Sequence, residues 1–452
     1  MAIYHELVSC IFERKYNSRP TYFKTPVFDP SGKNHPYELN LWRGLAVEGK
    51  PGDWSLMRRH IYEVICRENP MWFAYLMCWI ADVFQNPAVK PGVAFNLSGR
   101  KGTGKSKVAE WLRKIMPANS GSFSKGDQLW GKHNTAIQQC IFAVLEEPFW
   151  AGDRSAEGRL KDLVTSATQM IEPKFVDPFE VANFTRLWLN KNEPWSFPAS
   201  GDERRLFALE ASDAHRRDIP YFKAIDAQMS AGGLEAMLHD LLNLPQPDWI
   251  ELRLPPDTPW LVRQIAYSLH TDQAWLRSVL TEGAIVPANP HQKVCAWPDI
   301  GDGPMSAVDQ AAASLRGGAH PVNGERMVDV VGFVQHECGG IDVPTDVVRD
   351  AFRKHVADMK RGGSYTTPEQ LGEFLAKFGV TKTRPTIRGT RVWSYRFPSL
   401  HVMRARFTDE TKIGFDEAGP VDVRCEAGTV DVADLDAWRA YGCGGPLPRP
   451  LA

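Results

Sequence analysis

Residues 94–107, AFNLSGRKGTGKSK, constrain the fold of this chain more than any other stretch. Before the glycines, Val93, Phe95 and Leu97 have the spacing of a buried strand, and residues 108–116 have the periodicity of an amphipathic helix. A glycine-rich loop between a strand and a helix directs backbone N–H groups and the positive end of the helix dipole toward an anion. The sequence therefore predicts a strand, a phosphate-binding loop and a helix.

The spacing within the loop matches the P-loop pattern G-x-x-x-x-G-K-[ST]. In that pattern Lys105 reaches the β- and γ-phosphates of a nucleotide, and Ser106 binds Mg²⁺. The expected cofactors are therefore ATP and Mg²⁺. The residues that we expect to bind the nucleotide are Gly99, Gly102, Thr103, Gly104, Lys105 and Ser106.

Two carboxylates follow the next apolar run. Residues 140–145 (CIFAVL) end abruptly in Glu146 and Glu147. A continuous apolar run is typical of a parallel strand covered on both faces, and ligands bind beyond the carboxyl ends of such strands. In a P-loop ATPase one acid positions Mg²⁺ and a second polarises the attacking water. We assign Glu146 to the metal and Glu147 to the base; for the pair alone, a solvated acidic strand end is the alternative.

Further polar residues flank two later strands. Residues 185–189 (TRLWL) predict a buried strand that ends in Asn190, whose side chain can orient the attacking water. Arg204 and Arg205 precede another strand, LFALE. Such a pair is most often a surface ion-pair feature, and it can also reach a neighbouring subunit's γ-phosphate as an arginine finger. Arg205 is the first choice because it is next to the strand, and Arg204 is the second.

The order of these pieces resembles the superfamily 3 helicases of the AAA+ class over about residues 35–215, and more narrowly the helicase module of phage and plasmid primase-helicases. The motifs are GRKGTGKS, FAVLEEP, IEPKFVDPF, LWLN and DERRLF. The resemblance implies a hexameric ring with ATP at the subunit interfaces. One departure is glutamate in the second motif, where aspartate is commoner.

The third motif predicts a hairpin around Asp177-Pro178. The resemblance implies that Lys174 faces the central channel and grips the phosphates of one DNA strand, with Phe175 or Phe179 against a sugar or base. A surface lysine on an ordinary turn, with its phenylalanines in the core, is the alternative.

A basic segment lies near the other end of the chain. Residues 353–406 contain twelve Lys or Arg and three acids, whereas the net charge of the whole chain is -1. Two predicted helices and two alternating runs joined by Gly389-Thr390 predict a winged helix-turn-helix. Arg384, Arg388 and Arg391 on or beside the wing are expected to contact phosphates or a minor groove. A winged helix used for protein contacts is the alternative.

The expected fold is α/β, a P-loop AAA+ ATPase core with a parallel sheet, placed between helical regions. The predicted units are a helical collar (1–90), the core (91–215), a helical region (216–300), a linker (301–341), the basic winged-helix domain (342–406) and an acidic tail (407–452). Scattered cysteines argue against a zinc or disulfide framework. The chain shows no signal peptide or membrane span, which indicates a cytoplasmic protein without a membrane partner.

These features predict an ATP-dependent DNA helicase that translocates on single-stranded DNA and unwinds forked DNA during phage, plasmid or mobile-element replication. One alternative is a DNA-binding initiator or loader in which ATP drives assembly only. Another is an AAA+ remodelling NTPase of a different kind. No primase or polymerase domain fits before residue 35, so a stand-alone helicase, a truncated chain and a primase or polymerase on another chain are all left open.

Overall fold

A computed structural model describes residues 25–33, 38–147, 154–192, 203–285, 326–328, 333–335, 339–358, 368–387, 389–411, 413–415 and 430–448. Arg388 and much of the predicted linker lie outside these ranges. Within the described residues, no helix combines the length and the apolar character needed to cross a membrane.

Two α-helices lie in the described part of the predicted N-terminal helical region. After a short parallel pair, β1 (Thr25–Val27) and β2 (Glu38–Asn40), the chain forms α1 (Ser55–Arg59), a π-helical segment (His60–Ile65) and α2 (Pro70–Gln85). The Asn69 side chain caps α2 by accepting bonds from two backbone N–H groups. Residues 73–84 are all buried, so α2 is a core helix rather than an amphipathic surface helix.

The described residues of the predicted core (91–215) include seven strands and three α-helices. In chain order they are β3 (Ala94–Ser98), α3 (Lys105–Ile115), β4 (Ser120–Phe123), α4 (Asp127–Trp130), β5 (Phe142–Glu146), α5 (Arg154–Thr165), β6 (Thr168–Ile171), β7 (Phe179–Ala182), β8 (Arg186–Lys191) and β9 (Leu206–Glu210). Five of the strands make one parallel sheet in the order β4-β5-β8-β3-β9. The predicted α/β fold with a parallel sheet is confirmed.

Both faces of this sheet are covered. On one face, the rings of Phe95 and Trp188 lie 4.4 Å apart, edge to face, and Trp79 of α2 packs beside them. The opposite face, which includes Ala94 and Leu187, belongs to a second core with Trp260. Burial on both faces explains the continuous apolar runs in the sequence. Because both faces are covered, polar groups can gather at the carboxyl ends of the strands.

Helices follow the sheet, as predicted. They are α6 (Ile219–Gln228), a π-helical segment (Met229–Gly233), α7 (Leu234–Asn243), α8 (Pro259–Ser268) and α9 (Thr271–Glu282). Asp218 caps α6 by accepting a bond from the Tyr221 N–H. This cap fixes the entry of α6 beside the phosphate-binding loop.

The basic segment lies in a second sheet. Its elements are β10 (Arg326–Val328), β11 (Phe333–Gln335), β12 (Ile341–Pro344), α10 (Thr345–Asp358), α11 (Pro368–Lys377), β13 (Thr381–Thr383), β14 (Thr386–Ile387), β15 (Thr390–Arg391), β16 (Ser394–Phe397) and α12 (Leu400–Thr411). The sheet order is β10-β11-β12-β16-β13 and every pairing is antiparallel. Two helices and a hairpin do follow β12 in the expected order.

Two expectations for this segment are corrected. Strands β10 and β11 lie inside residues 301–341, which composition predicted as a linker. Strands of only three residues leave little trace in composition. The hairpin turn is also one residue earlier than expected. Ile387 pairs with Thr390, so Arg388 and Gly389 lie between the paired residues, and Gly389 has a φ of 79°.

Part of the predicted acidic tail is ordered. Helix α12 continues past residue 407, and α13 (Val432–Gly442) packs on the N-terminal helices. Trp438 and Tyr441 contact the ring of Phe73, and the Tyr441 hydroxyl donates to Asp240 at 3.1 Å. Helix α13 therefore covers the N-terminal core, whereas Ile413 and Phe415 pack with the core of the basic segment, with the Phe415 ring 5.5 Å from that of Phe407.

Candidate nucleotide site

The loop between β3 and α3 depends on its glycines. Gly102 and Gly104 have φ values of 87° and 86°, in the left-handed region that favours glycine. A Cβ atom on Gly104 would lie 2.5 Å from the ring of Phe222 and 2.7 Å from that of His60. The loop is thus held between α3 and α6 at a spacing that a side chain would prevent.

Lys105 is the first residue of α3, and its largely buried side chain reaches back over the loop. Its ammonium donates to the carbonyls of Gly99 at 2.7 Å and Arg100 at 2.9 Å, and to Asn192 Oδ1 at 2.8 Å. Burial lowers the pKa of Lys105, and the nearby carboxylates of Glu147 and Glu146 oppose that shift. A cation bound mainly by neutral oxygens can exchange them for the charged oxygens of a phosphate.

Ser106, Glu146 and Asn190 form one hydrogen-bonded cluster. Ser106 Oγ donates to Glu146 Oε2 at 3.2 Å, and Asn190 Nδ2 donates to Glu146 Oε1 at 3.0 Å. The indole N–H of Trp188 donates to Asn190 Oδ1 at 2.8 Å, which fixes the orientation of the amide. Strand β5 pairs with β8 in the parallel sheet, and in this register Glu146 is the partner of Asn190.

The oxygens of Ser106 and Glu146 fit Mg²⁺, which prefers hard oxygen ligands and usually keeps several waters alongside one or two carboxylates and the substrate phosphates. Among the described residues, no group of three His, Cys, Asp or Glu side chains is placed to hold a metal ion.

Glu147 occupies a tight turn directly after β5. Its φ of 52° is unusual for a residue other than glycine, and its N–H donates to the carbonyl of Asn190 at 2.8 Å. The carboxylate accepts from the Asn192 N–H at 3.4 Å. This turn brings the exposed Glu147 carboxylate to the same cavity as Lys105 and Ser106.

That cavity has a volume of about 510 Å³ and an opposite wall that the sequence analysis missed. Arg217, Ile219, Phe222 and Lys223 line it from α6 and the turn before it. The Arg217 N–H donates to the Gly102 carbonyl at 2.8 Å, which joins the two walls. The capping residue Asp218 and the following proline predict the start of a helix. Nothing in their local pattern predicts its position across from the P-loop.

Aromatic rings fix this opposite wall. His60, from the π-helical segment, has Nε2 at 3.4 Å from the Gly104 carbonyl and Nδ1 at 3.2 Å from the Tyr221 hydroxyl. The Tyr221 ring stacks on His215 at 3.8 Å. His60 therefore connects the N-terminal helices to both the P-loop and α6.

We predict that acid destabilises the protein through His60. Burial lowers its pKa from 6.5 to about 4, with smaller contributions in the same direction from His215 and Lys107, while the Gly104 carbonyl favours the charged form. The unfolded chain therefore binds more protons between these two values. The free energy of unfolding therefore has its full value above pH ~6.5. It falls by roughly 3 kcal/mol as the pH falls toward 4.

Urea unfolding at pH 7 and pH 4.5 measures this effect. The free energy of unfolding should fall less for His60→Gln than for the wild type. His401→Gln, which alters an exposed histidine, is the control and should follow the wild type. An identical loss in wild type and His60→Gln would contradict the assignment to His60.

Arg204 and Arg205, the two candidate arginine fingers, lie at the amino ends of the sheet strands. The P-loop follows the opposite, carboxyl end of β3. Arg205 directly precedes β9, whose first residue pairs with Ala94 at the amino end of β3. Its Nε donates to Glu203 Oε1 at 3.1 Å, and Arg204 is exposed. Within one chain, therefore, neither arginine lies beside the P-loop.

The predicted hairpin is formed by β6 and β7. Lys174 and Phe175 lie on its connecting loop, and Phe179 begins β7. All three are exposed, and Phe175 is completely so. The alternative that placed both phenylalanines in the core is wrong, because the loop extends beyond the apolar cluster that contains Ile171.

The structure describes two of the three arginines that the sequence predicts to contact DNA in the basic segment. Arg384 and Arg391 are exposed on the hairpin that contains β13 to β16. Arg388 lies outside the described residues.

Comparisons with known proteins agree with a replication context. A protein family of unknown function, DUF5906, matches residues 97–205. The DNA primase-polymerase of Nitratiruptor phage NrS-1 is 26% identical over 138 residues, which is 30% of this chain and 19% of that protein. The chain thus matches about a fifth of the length of this curated relative.

Solved structures of the NrS-1 C-terminal region have a similar fold. The apo structure of residues 305–718 gives a TM-score of 0.56 at 15% identity, covering 86% of this chain and 89% of that one. The A form of the same region gives 0.55 at 14% identity. At these identities the likeness shows the fold alone. In sequence, the chain is a low-identity homologue of a phage DNA primase-polymerase.

Proposed function

We propose that this chain is an ATP-dependent DNA helicase of the superfamily 3 type that acts in phage, plasmid or mobile-element replication. The observation that carries the proposal is the convergence of Lys105, Ser106, Glu146, Glu147 and Asn190 at one edge of a parallel sheet. A phosphate-binding lysine, a pair of metal ligands and a free carboxylate in one cavity are the parts that nucleotide hydrolysis requires.

Each residue has a role in that reaction. Lys105 leaves the loop carbonyls and binds the β- and γ-phosphates of ATP. Ser106 and Glu146 hold Mg²⁺, which would neutralise charge on the phosphates. Glu147 accepts a proton from the attacking water, and Asn190, fixed by Trp188, orients that water. Arg217 on the opposite wall is placed to contact phosphate.

Assembly follows from the position of the arginines. Because Arg204 and Arg205 lie at the edge of the sheet away from their own P-loop, the finger role requires a second subunit. A ring of identical subunits, which we propose to be a hexamer, supplies each site with an arginine from its neighbour.

In this proposal the exposed β6–β7 hairpin contacts the DNA. A lysine and two exposed aromatic side chains suit the phosphates and bases of a single strand. Homology to a phage primase-polymerase supports DNA as the substrate. A primase or polymerase on another chain is the expected partner in replication.

The test is ATP hydrolysis with and without single-stranded DNA. We expect stimulation by DNA in the wild type and in Lys50→Ala, an exposed lysine on the segment that bonds to α7, and its loss in Lys174→Ala. Strand displacement on forked DNA then separates a helicase from a loader, which would assemble without unwinding. Hydrolysis indifferent to DNA would contradict the motor and favour a remodelling NTPase.

A further inference from the structure

The hairpin of β13 to β16 has a continuous register. Thr383 pairs with Ser394 and Thr386 pairs with Arg391. The same register places Arg384 opposite Trp393. Because side chains alternate between the two faces of a strand and directly opposite residues share a face, Arg384, Arg391 and Trp393 lie on one face.

Trp393 is unusually exposed for its size. Its side chain is 56% accessible, and the Arg384 guanidinium lies 5.3 Å from the ring centroid. The backbone beneath it is fixed, since the Thr345 N–H donates to the Trp393 carbonyl and the Val392 N–H to the Pro385 carbonyl, both at 3.0 Å. A rigid hairpin therefore holds a large aromatic surface in water, where it is available to a ligand.

Three exposed cations of the basic segment lie beside this ring. Arg396 makes two bonds of 2.8 Å to Asp342, and Arg406 and Arg404 donate to backbone carbonyls. By contrast, Lys382, Arg384 and Arg391 are exposed on the same face as Trp393. At the base of this face Tyr395 is buried, so the accessible part is the outer half of the hairpin.

We propose that this face, formed by Lys382, Arg384, Arg391 and Trp393, is a binding site for single-stranded nucleic acid. One base stacks on the Trp393 ring while the three cations contact the flanking phosphates. In a duplex the bases already stack on each other, and their flat faces are not available to the ring. The site requires neither ATP nor the P-loop, so it is separate from the proposed motor.

Binding of a fluorescein-labelled oligodeoxythymidylate to the wild-type chain without nucleotide tests the proposal by anisotropy. Stacking on one aromatic side chain is worth about 1–3 kcal/mol per base. Trp393→Ala should therefore weaken binding roughly five- to hundredfold, whereas Trp393→Phe should retain most of the affinity. Tyr267→Ala is the control, because it removes a partly exposed aromatic residue of α8 and should bind as the wild type does.

Indole fluorescence reports on the ring itself even when the β6–β7 hairpin also binds the oligonucleotide. The chain has 15 tryptophans, so the quenching that the oligonucleotide causes in the wild type but not in Trp393→Phe belongs to Trp393. Unchanged affinity in Trp393→Ala together with unchanged quenching in Trp393→Phe would overturn the proposal. A preference for the matching duplex would also overturn it. Both readouts are taken without nucleotide and do not depend on ATP hydrolysis, so failure of the motor proposal is distinguishable from failure of this one.

Discussion

Lys105→Ala is expected to lower the rate of ATP hydrolysis by roughly 10³-fold. A preorganised donor at the site of developing charge typically contributes about 10²–10³ to turnover. Lys105 is also a charged donor to the loop carbonyls of Gly99 and Arg100. Substitution by alanine therefore removes the positive charge that would contact the bound phosphates and the transition state. We expect weaker ATP binding as well.

Phosphate release and the binding of a fluorescent ATP analogue measure the two effects. The matched control is Lys114→Ala on the same helix, where the lysine stacks on Trp111 away from the loop. The control should retain both activities. A Lys105→Ala protein with normal turnover would show that hydrolysis does not occur at this P-loop.

Glu147→Gln is expected to reduce turnover by about 10²–10⁴-fold, the usual contribution of a general base, while ATP binding is retained. The substitution keeps the shape of the side chain, and its amide can still accept from the Asn192 N–H. What it loses is the ability to take a proton from water. The Glu147 carboxylate takes part in none of the side-chain bonds that join Ser106, Glu146 and Asn190, so the proposed metal ligands remain in place.

Glu146→Gln separates the two carboxylates. It should weaken the Mg²⁺-dependent part of ATP binding, because the proposed ligand charge is lost. Titrating Mg²⁺ while following the bound ATP analogue distinguishes the variants. If Glu147→Gln requires more Mg²⁺ and Glu146→Gln does not, the two roles are exchanged.

Local patterns predicted much of the sheet and of the loop. Runs such as CIFAVL and TRLWL are strands buried on both faces, and the structure confirms them as β5 and β8. Both strands end in polar residues, so the proximity of Glu146 and Asn190 follows once the strands are parallel. These inferences succeed because each depends on a few consecutive residues.

Other features arise from contacts between distant segments. Arg217 and His60 meet the loop only after α6 and the π-helical segment have packed against it. Strands β10 and β11 are too short to have a periodicity of their own. An acidic composition likewise does not reveal that Trp438 and Tyr441 are core residues.

The docking of α13 has a consequence for how the protein is made. Phe73 is translated long before part of its cover, Trp438 and Tyr441. While the residues between them are being translated, the nascent chain therefore carries an open aromatic surface at this site. The aromatic surface is covered only when residues that are far apart in the sequence come into contact, and such contacts form slowly. The N-terminal helices should thus need chaperone protection until residues 432–442 have emerged.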